Sequence, residues 1–159
     1  MVESGAKARR ADLAFNETEI KLAVDMVDKL TTPMEVLYYL LEHRRLNSFV
    51  LILVSAENID THTILQNEKR DTDLLFCLGE EHGVHALLCQ ETKVDGGYMF
   101  AERIVKRLTL EKGTSIYCSV LEVRTTTYKI KDIIFRGLET YMKALHEEQI
   151  GEIIIKTIN

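Results

Sequence analysis

The strongest constraint on how this chain can fold is Phe49-Val50-Leu51-Ile52-Leu53-Val54, six consecutive apolar residues with no polar interruption. A run this short and this uniform predicts a strand covered on both faces, hence a central strand of a sheet. It is the longest apolar run, well short of the roughly 18 to 20 residues that span a bilayer. Such a strand needs helices on either side, and the flanking text supplies them. Asn16 is placed to cap a helix with Glu19 three residues on, and Ile20, Ala23, Val27 and Leu30 recur at helical spacing. Thr32-Pro33-Met34-Glu35 reads as a second helix start, with a Thr cap, Pro at the first position and Glu at the third. That helix turns Leu37, Leu40 and Leu41 inward and ends in His43-Arg44-Arg45, a basic close suited to a helix C-terminus.

Residues 59–72 predict a short polar helix or loop. Leu74 to Leu78 and Val84 to Cys89 are strands joined as a hairpin by Gly79 to Gly83. A helix over 95–108 buries Phe100, Ala101, Ile104, Val105 and Leu108. Ile116 to Val123 is a strand, with Thr125 to Tyr128 in a loop. The longest amphipathic helix, Ile130 to His146, has Ile134, Leu138, Tyr141 and Leu145 on one face, and Glu152 to Ile155 forms a last strand. Strands alternating with covering helices give an α/β fold, an α+β sandwich around one sheet. Residues 1–15 lack a sustained period and read as a linker or an appended segment.

The chain has 159 residues and a net charge of −5. That length holds one domain with a real core. The charge argues against a general DNA or RNA binder, which would carry a basic surface, but not against binding one small anionic nucleotide. Cys77, Cys89 and Cys118 are odd in number, widely spaced and set in strand-like text. They are expected to be buried thiols in a reducing compartment, and with no leader pattern the cytoplasm is the expected location.

Several stretches together resemble the GGDEF domain, the module that makes cyclic di-GMP. Asp28-Lys29-Leu30-Thr31 resembles the opening Asp-x-Leu-Thr element. Asp73 to Gly79 is similar to the strand entering the signature turn. Ala101-Glu102-Arg103-Ile104 is similar to the Ala-Glu-Arg-Ile helix, Ser119-Val120 to the Thr-Val-Ser-x-Gly strand without its Gly, and Gly137 to Ala144 to the final helix. The resemblance covers about residues 28–156. It implies a nucleotide-cyclase-like, mostly antiparallel central sheet covered by helices. It also divides the chain into a signalling helix over 16–31 and a degenerate GGDEF domain over 32–159.

Arg70-x-x-Asp73 stands six residues before Gly79, the spacing of the family's inhibitory site for cyclic di-GMP. The resemblance makes Arg103 its third member. An Arg guanidinium can donate two parallel hydrogen bonds to guanine O6 and N7. A carboxylate can accept from guanine N1–H and N2–H, the role expected of Asp73. Taken alone, an Arg-x-x-Asp is equally a solvated ion pair worth at most about 1 kcal/mol. In either case Arg70 is expected to be exposed, so that its removal leaves stability nearly unchanged.

The catalytic side departs from the family. Val54-Ser55-Ala56-Glu57 lacks the metal-binding Asp at the end of the first central strand, unless Glu57 substitutes. In the signature turn Gly79 fits. Glu80 replaces the second Gly, Glu81 keeps the acidic metal position, and His82 and Gly83 replace the last acidic residue and the Phe. A side chain at Glu80 would oppose GTP by bulk and charge. From Ser55 to Arg70 is 70 − 55 = 15 positions, about half the family's interval. The lost text normally reads the substrate guanine.

The expectation is a cyclic di-GMP receptor with no catalytic residues and no bound metal or other cofactor. It would relay a signal as a homodimer, through an upstream sensory or membrane segment, or to a downstream protein. The shortened front half with a retained binding site is similar to receptors of Pel-type exopolysaccharide systems. A residual diguanylate cyclase and a ligand-free interaction domain are the alternatives. His82 and His85 with Glu80 and Glu81 form a metal site only if a bent hairpin brings them together. Tyr38, Tyr39 and Tyr98 read as partial core.

Overall fold

A computed structural model describes residues 15–79 and 83–159. The elements are α1 (Glu17–Glu42), β1 (Phe49–Glu57), α2 (Thr61–Glu68), β2 (Leu74–Leu78), β3 (Val84–Gln90), α3 (Val94–Leu110), β4 (Thr114–Val123), α4 (Ile130–His146) and β5 (Ile153–Ile158). The five strands form one sheet in the order β2-β3-β1-β4-β5, with β1 at its centre. The β2–β3, β1–β3 and β1–β4 pairs are antiparallel, and β4–β5 is parallel.

The apolar run of β1 alternates between two cores. Phe49, Leu51 and Leu53 meet α1 and α4 on one face. Val50, Ile52 and Val54 meet α2 and α3 on the other. A strand buried on both faces has no solvent side, which is why its sequence shows no polar alternation. The five apolar residues expected to line α3 are all buried, and α4 has the predicted bounds.

The N-terminal helices differ from expectation. Asn16 and Glu19 do form the capping box, each side chain bonding the other's backbone N–H. The helix then runs unbroken through Pro33 to Glu42, with no second start at Thr32. Proline inside a helix forfeits one hydrogen bond and crowds the carbonyl four residues back. Packing outweighs that cost here: Leu30, Met34 and Leu37 continue the core face of Leu22, Ala23 and Met26 straight across the proline. Of the stripe read in the sequence, Ala23 and Leu30 are buried, while Leu22 and Met26 take the core places expected of Ile20, which is exposed, and Val27, which is half-buried. The division expected between residues 31 and 32 thus falls inside one continuous helix. Cys89 and Cys118 are buried, as expected, and burial pushes the Cys118 thiol up to about 12. Cys77 is exposed, on the edge strand β2. Residues 1–14, most of the expected linker, lie outside the described residues. No helix among the described residues is long and apolar enough to cross a membrane.

Candidate functional site

At one end of the sheet the chain leaves α2, turns through Arg70 to Asp73, and enters edge strand β2. The Asp73 N–H donates to the Arg70 carbonyl at 3.0 Å, closing the turn and setting the two side chains side by side. The Asp73 side chain is fully buried. A buried carboxylate must be paired and hydrogen-bonded, and Arg70 meets that need almost alone. Its backbone N–H donates to Oδ2 at 2.8 Å and Nη2 to Oδ1 at 2.8 Å, while Nε reaches both oxygens at 3.1 and 3.2 Å. The hydrogen bond to Asp73 is the largest influence raising the pKa of Arg70.

The next segment fixes the guanidinium from the other side. Arg70 Nη2 also donates to the Gln90 carbonyl at 3.0 Å and to Thr92 Oγ1 at 2.8 Å, and the Thr92 hydroxyl donates to that same carbonyl. The Nε/Nη2 fork is consumed by the protein. Among the described residues Nη1 has no partner, and the side chain is half exposed at 52%.

Arg103 projects from α3 toward the same place. Its Nε donates to Glu68 Oε2 at 3.1 Å and its Nη2 to the Glu68 carbonyl at 3.3 Å, and the guanidinium lies over the Phe100 ring at 5.0 Å. Arg70, Asp73 and Arg103 line one cavity of about 470 Å³, a volume typical of ligand sites. The three residues singled out in the sequence are thus brought together. Two expected roles are altered: the Arg70 fork faces Asp73 instead of open space, and Asp73 is turned inward with both oxygens engaged.

The start of α3 completes the cavity with its N-cap Lys93 and with Asp95, Gly96 and Met99 of its first two turns, and Glu91 stands on the approach from β3. Sequence reasoning missed these residues, although Asp95, Gly96 and Met99 belong to the helix it placed over 95–108 and Glu91 and Lys93 to the short link before it. Two contacts seat this turn. Lys93 makes no side-chain cap. Glu122 of β4 supplies one from across the sheet, its Oε2 accepting from the Val94 N–H at 2.7 Å. Gly97 lets the helix lie close on the strands, since a Cβ there would stand 2.9 Å from Val120 Cγ1.

The opposite end of β1 carries the residues set against the family's catalytic side in the sequence. Ser55 stands where the metal-binding carboxylate is expected, and its Oγ is 2.6 Å from the Tyr141 hydroxyl in a buried pair. Burial pushes the Tyr141 phenol up to about 12. An alcohol already tied to a phenol does not fit the hard-cation, carboxylate chemistry of a magnesium site. Glu57 is exposed beyond an irregularity in the β1–β4 register. Gly79 and Gly83 have left-handed φ values of 68° and 61°. Glu80, Glu81 and His82 lie outside the described residues. Among the described residues no three His, Cys, Asp or Glu side chains gather to hold a metal ion. His85 points to the α2 side and is buried beside His62, with ring centroids 5.7 Å apart. Burial lowers its pKa, helped by His62. Tyr38 is partly buried, and Tyr98 and Tyr39 are 40% and 53% exposed.

The chain matches no family model and no curated protein sequence. Its fold matches solved GGDEF domains. The GGDEF domain of FimX from Pseudomonas aeruginosa superposes with a TM-score of 0.66 at 12% identity, covering 81% of this chain and 92% of that one. The coiled coil and GGDEF domain of DgcB from Caulobacter crescentus, solved with cyclic di-GMP, gives 0.60 at 7% identity over 98% and 92%. The active GGEEF domain of a diguanylate cyclase from Vibrio cholerae gives 0.58 at 17% identity over 74% and 88%. At these identities the likeness establishes the nucleotide-cyclase-like fold and no more.

Proposed function

We propose that this chain is a cyclic di-GMP receptor built on a GGDEF fold that no longer turns over GTP. The observation carrying the reading is the convergence of Arg70 and Asp73, from the turn before β2, and Arg103, from α3, on one ligand-sized cavity. In this reading Asp73 and Thr92 hold Arg70 in place, and Arg70 offers its outer Nη1 end to a guanine or phosphate oxygen. Arg103 and Lys93 meet the phosphates from α3. Holding both guanidinium groups in advance lowers the ordering cost of binding. Loss of the cyclase reaction is supported by the Ser55–Tyr141 pair and by the short interval from Ser55 to Arg70.

Binding would bias contacts between two copies or with a partner protein. α1 would carry the change toward an upstream sensory or membrane segment, with the domain itself in the cytoplasm. A receptor of the Pel type, controlling exopolysaccharide and biofilm formation, is the branch that the shortened front half favours. Calorimetry with cyclic di-GMP at tens of micromolar protein tests the binding; no heat from the folded chain would overturn it. Incubation with GTP and magnesium tests the loss of turnover, and any cyclic product would favour a residual cyclase.

A further inference from the structure

Three carboxylates line the cavity of Arg70 and Arg103: Asp73, Glu91 and Asp95. One is fully committed and a second in part. Both Asp73 oxygens are held by Arg70. Glu91 Oε1 accepts from the Asn47 backbone N–H at 3.3 Å and from Asn47 Nδ2 at 2.8 Å. Asp95, in the first turn of α3, is exposed and has no ion pair or hydrogen bond among the described residues.

The wall beside Asp95 suits a planar ring. Gly96 leaves the helix surface bare there, and a Cβ at that position would meet nothing closer than Thr92 Cγ2 at 3.5 Å. The absent side chain is therefore not required by packing, unlike that of Gly97. Met99, 70% exposed, offers apolar surface one helical turn further on, and Phe100 lies under the Arg103 guanidinium. A free carboxylate next to an apolar shelf recognises a base presenting two adjacent N–H groups along one edge. Guanine does so with N1–H and N2–H. Adenine would bring its N1 lone pair against the carboxylate, which is repulsive.

We propose that Asp95, and not the committed Asp73, reads the guanine edge and makes the cavity selective for a guanine nucleotide. The inference rests on the receptor reading given above. A carboxylate in the first turn of a helix also complements the helix dipole, so the test must read base selectivity and not affinity alone.

The full chain and its Asp95→Ala and Asp95→Asn variants are titrated calorimetrically. The ligands are cyclic di-GMP and its inosine analogue, which lacks the 2-amino group. Thermal unfolding confirms that each protein is folded. The wild type should prefer the guanine form. Both variants should lose between about 5- and 150-fold in affinity for it, and the preference over the inosine form should collapse toward one. A folded variant that keeps the wild-type preference overturns the assignment of Asp95 while leaving the receptor standing. A wild type that binds neither ligand overturns the receptor reading, and the inference with it.

Discussion

Replacing Arg70 by Ala is the obvious way to abolish ligand binding, and the structure gives it a second consequence. The substitution strands a carboxylate whose side chain has no solvent exposure. Of the contacts Asp73 receives from Arg70, only the 2.8 Å bond from the backbone N–H survives. Removing one partner of a buried ion pair costs on the order of 3–5 kcal/mol. The Arg70 side chain is 52% exposed, so solvent screens part of the pair and the retained backbone bond offsets more. A loss of about 2–3 kcal/mol remains. For a chain of 159 residues that corresponds to a drop in Tm of roughly 4–12 °C. Urea unfolding of Arg70→Ala, Asp73→Asn and the double variant measures it. If the orphaned charge is the cause, Arg70→Ala/Asp73→Asn should regain more than half of what Arg70→Ala loses. A single variant within about 0.5 kcal/mol of wild type, or a double variant no more stable than Arg70→Ala, would refute the reasoning. The double variant is also the cleaner control in any binding experiment, because it removes the guanidinium without leaving the charge.

Gly137→Ala should destabilise by about 1–3 kcal/mol, read by urea unfolding, although alanine is the better helix former by about 1 kcal/mol. The new Cβ would stand 2.8 Å from Leu51 Cδ2 inside the core, and a gain in stability would show that the core yields there. His85 is held neutral by burial, its pKa lowered from 6.5. The unfolded chain therefore binds the extra proton first, and stability should decline as pH falls below about 6.5 toward the lower folded value. His85→Leu should flatten that decline in urea unfolding between about pH 7.5 and 5, and an unchanged slope would assign it to another group. A thiol reagent should modify Cys77 alone in the folded protein, since Cys89 and Cys118 are buried. Rapid labelling of a second cysteine under native conditions would contradict the packing of β3 and β4.

Most of the element order was legible because it rests on periodicity, a local property. The hairpin strands, α3, α4 and the central strand follow from spacing within windows of about ten residues. Local rules failed where a distant surface outweighed them. Thr32-Pro33 carries every mark of a helix start, yet the helix passes through it because Leu30, Met34 and Leu37 must cover the sheet. Cys77 sits in text as apolar as that around Cys89, and only its place on the edge strand exposes it.

The candidate site divides in the same way. By itself the sequence pointed to the residues that line the cavity: spacing marked Arg70 and Asp73, and the family resemblance added Arg103. Tertiary structure alone decided what each can do. Burial of Asp73 forces its charge to be met within the protein, so Arg70 spends its fork there, and Glu68 engages Arg103 in the same manner. Asp73 is a local neighbour of Arg70, but Gln90 and Thr92, which fix the guanidinium from the other side, and Glu68, which engages Arg103, lie on segments distant in the chain. Desolvation and hydrogen-bond geometry arise only once those segments are packed together.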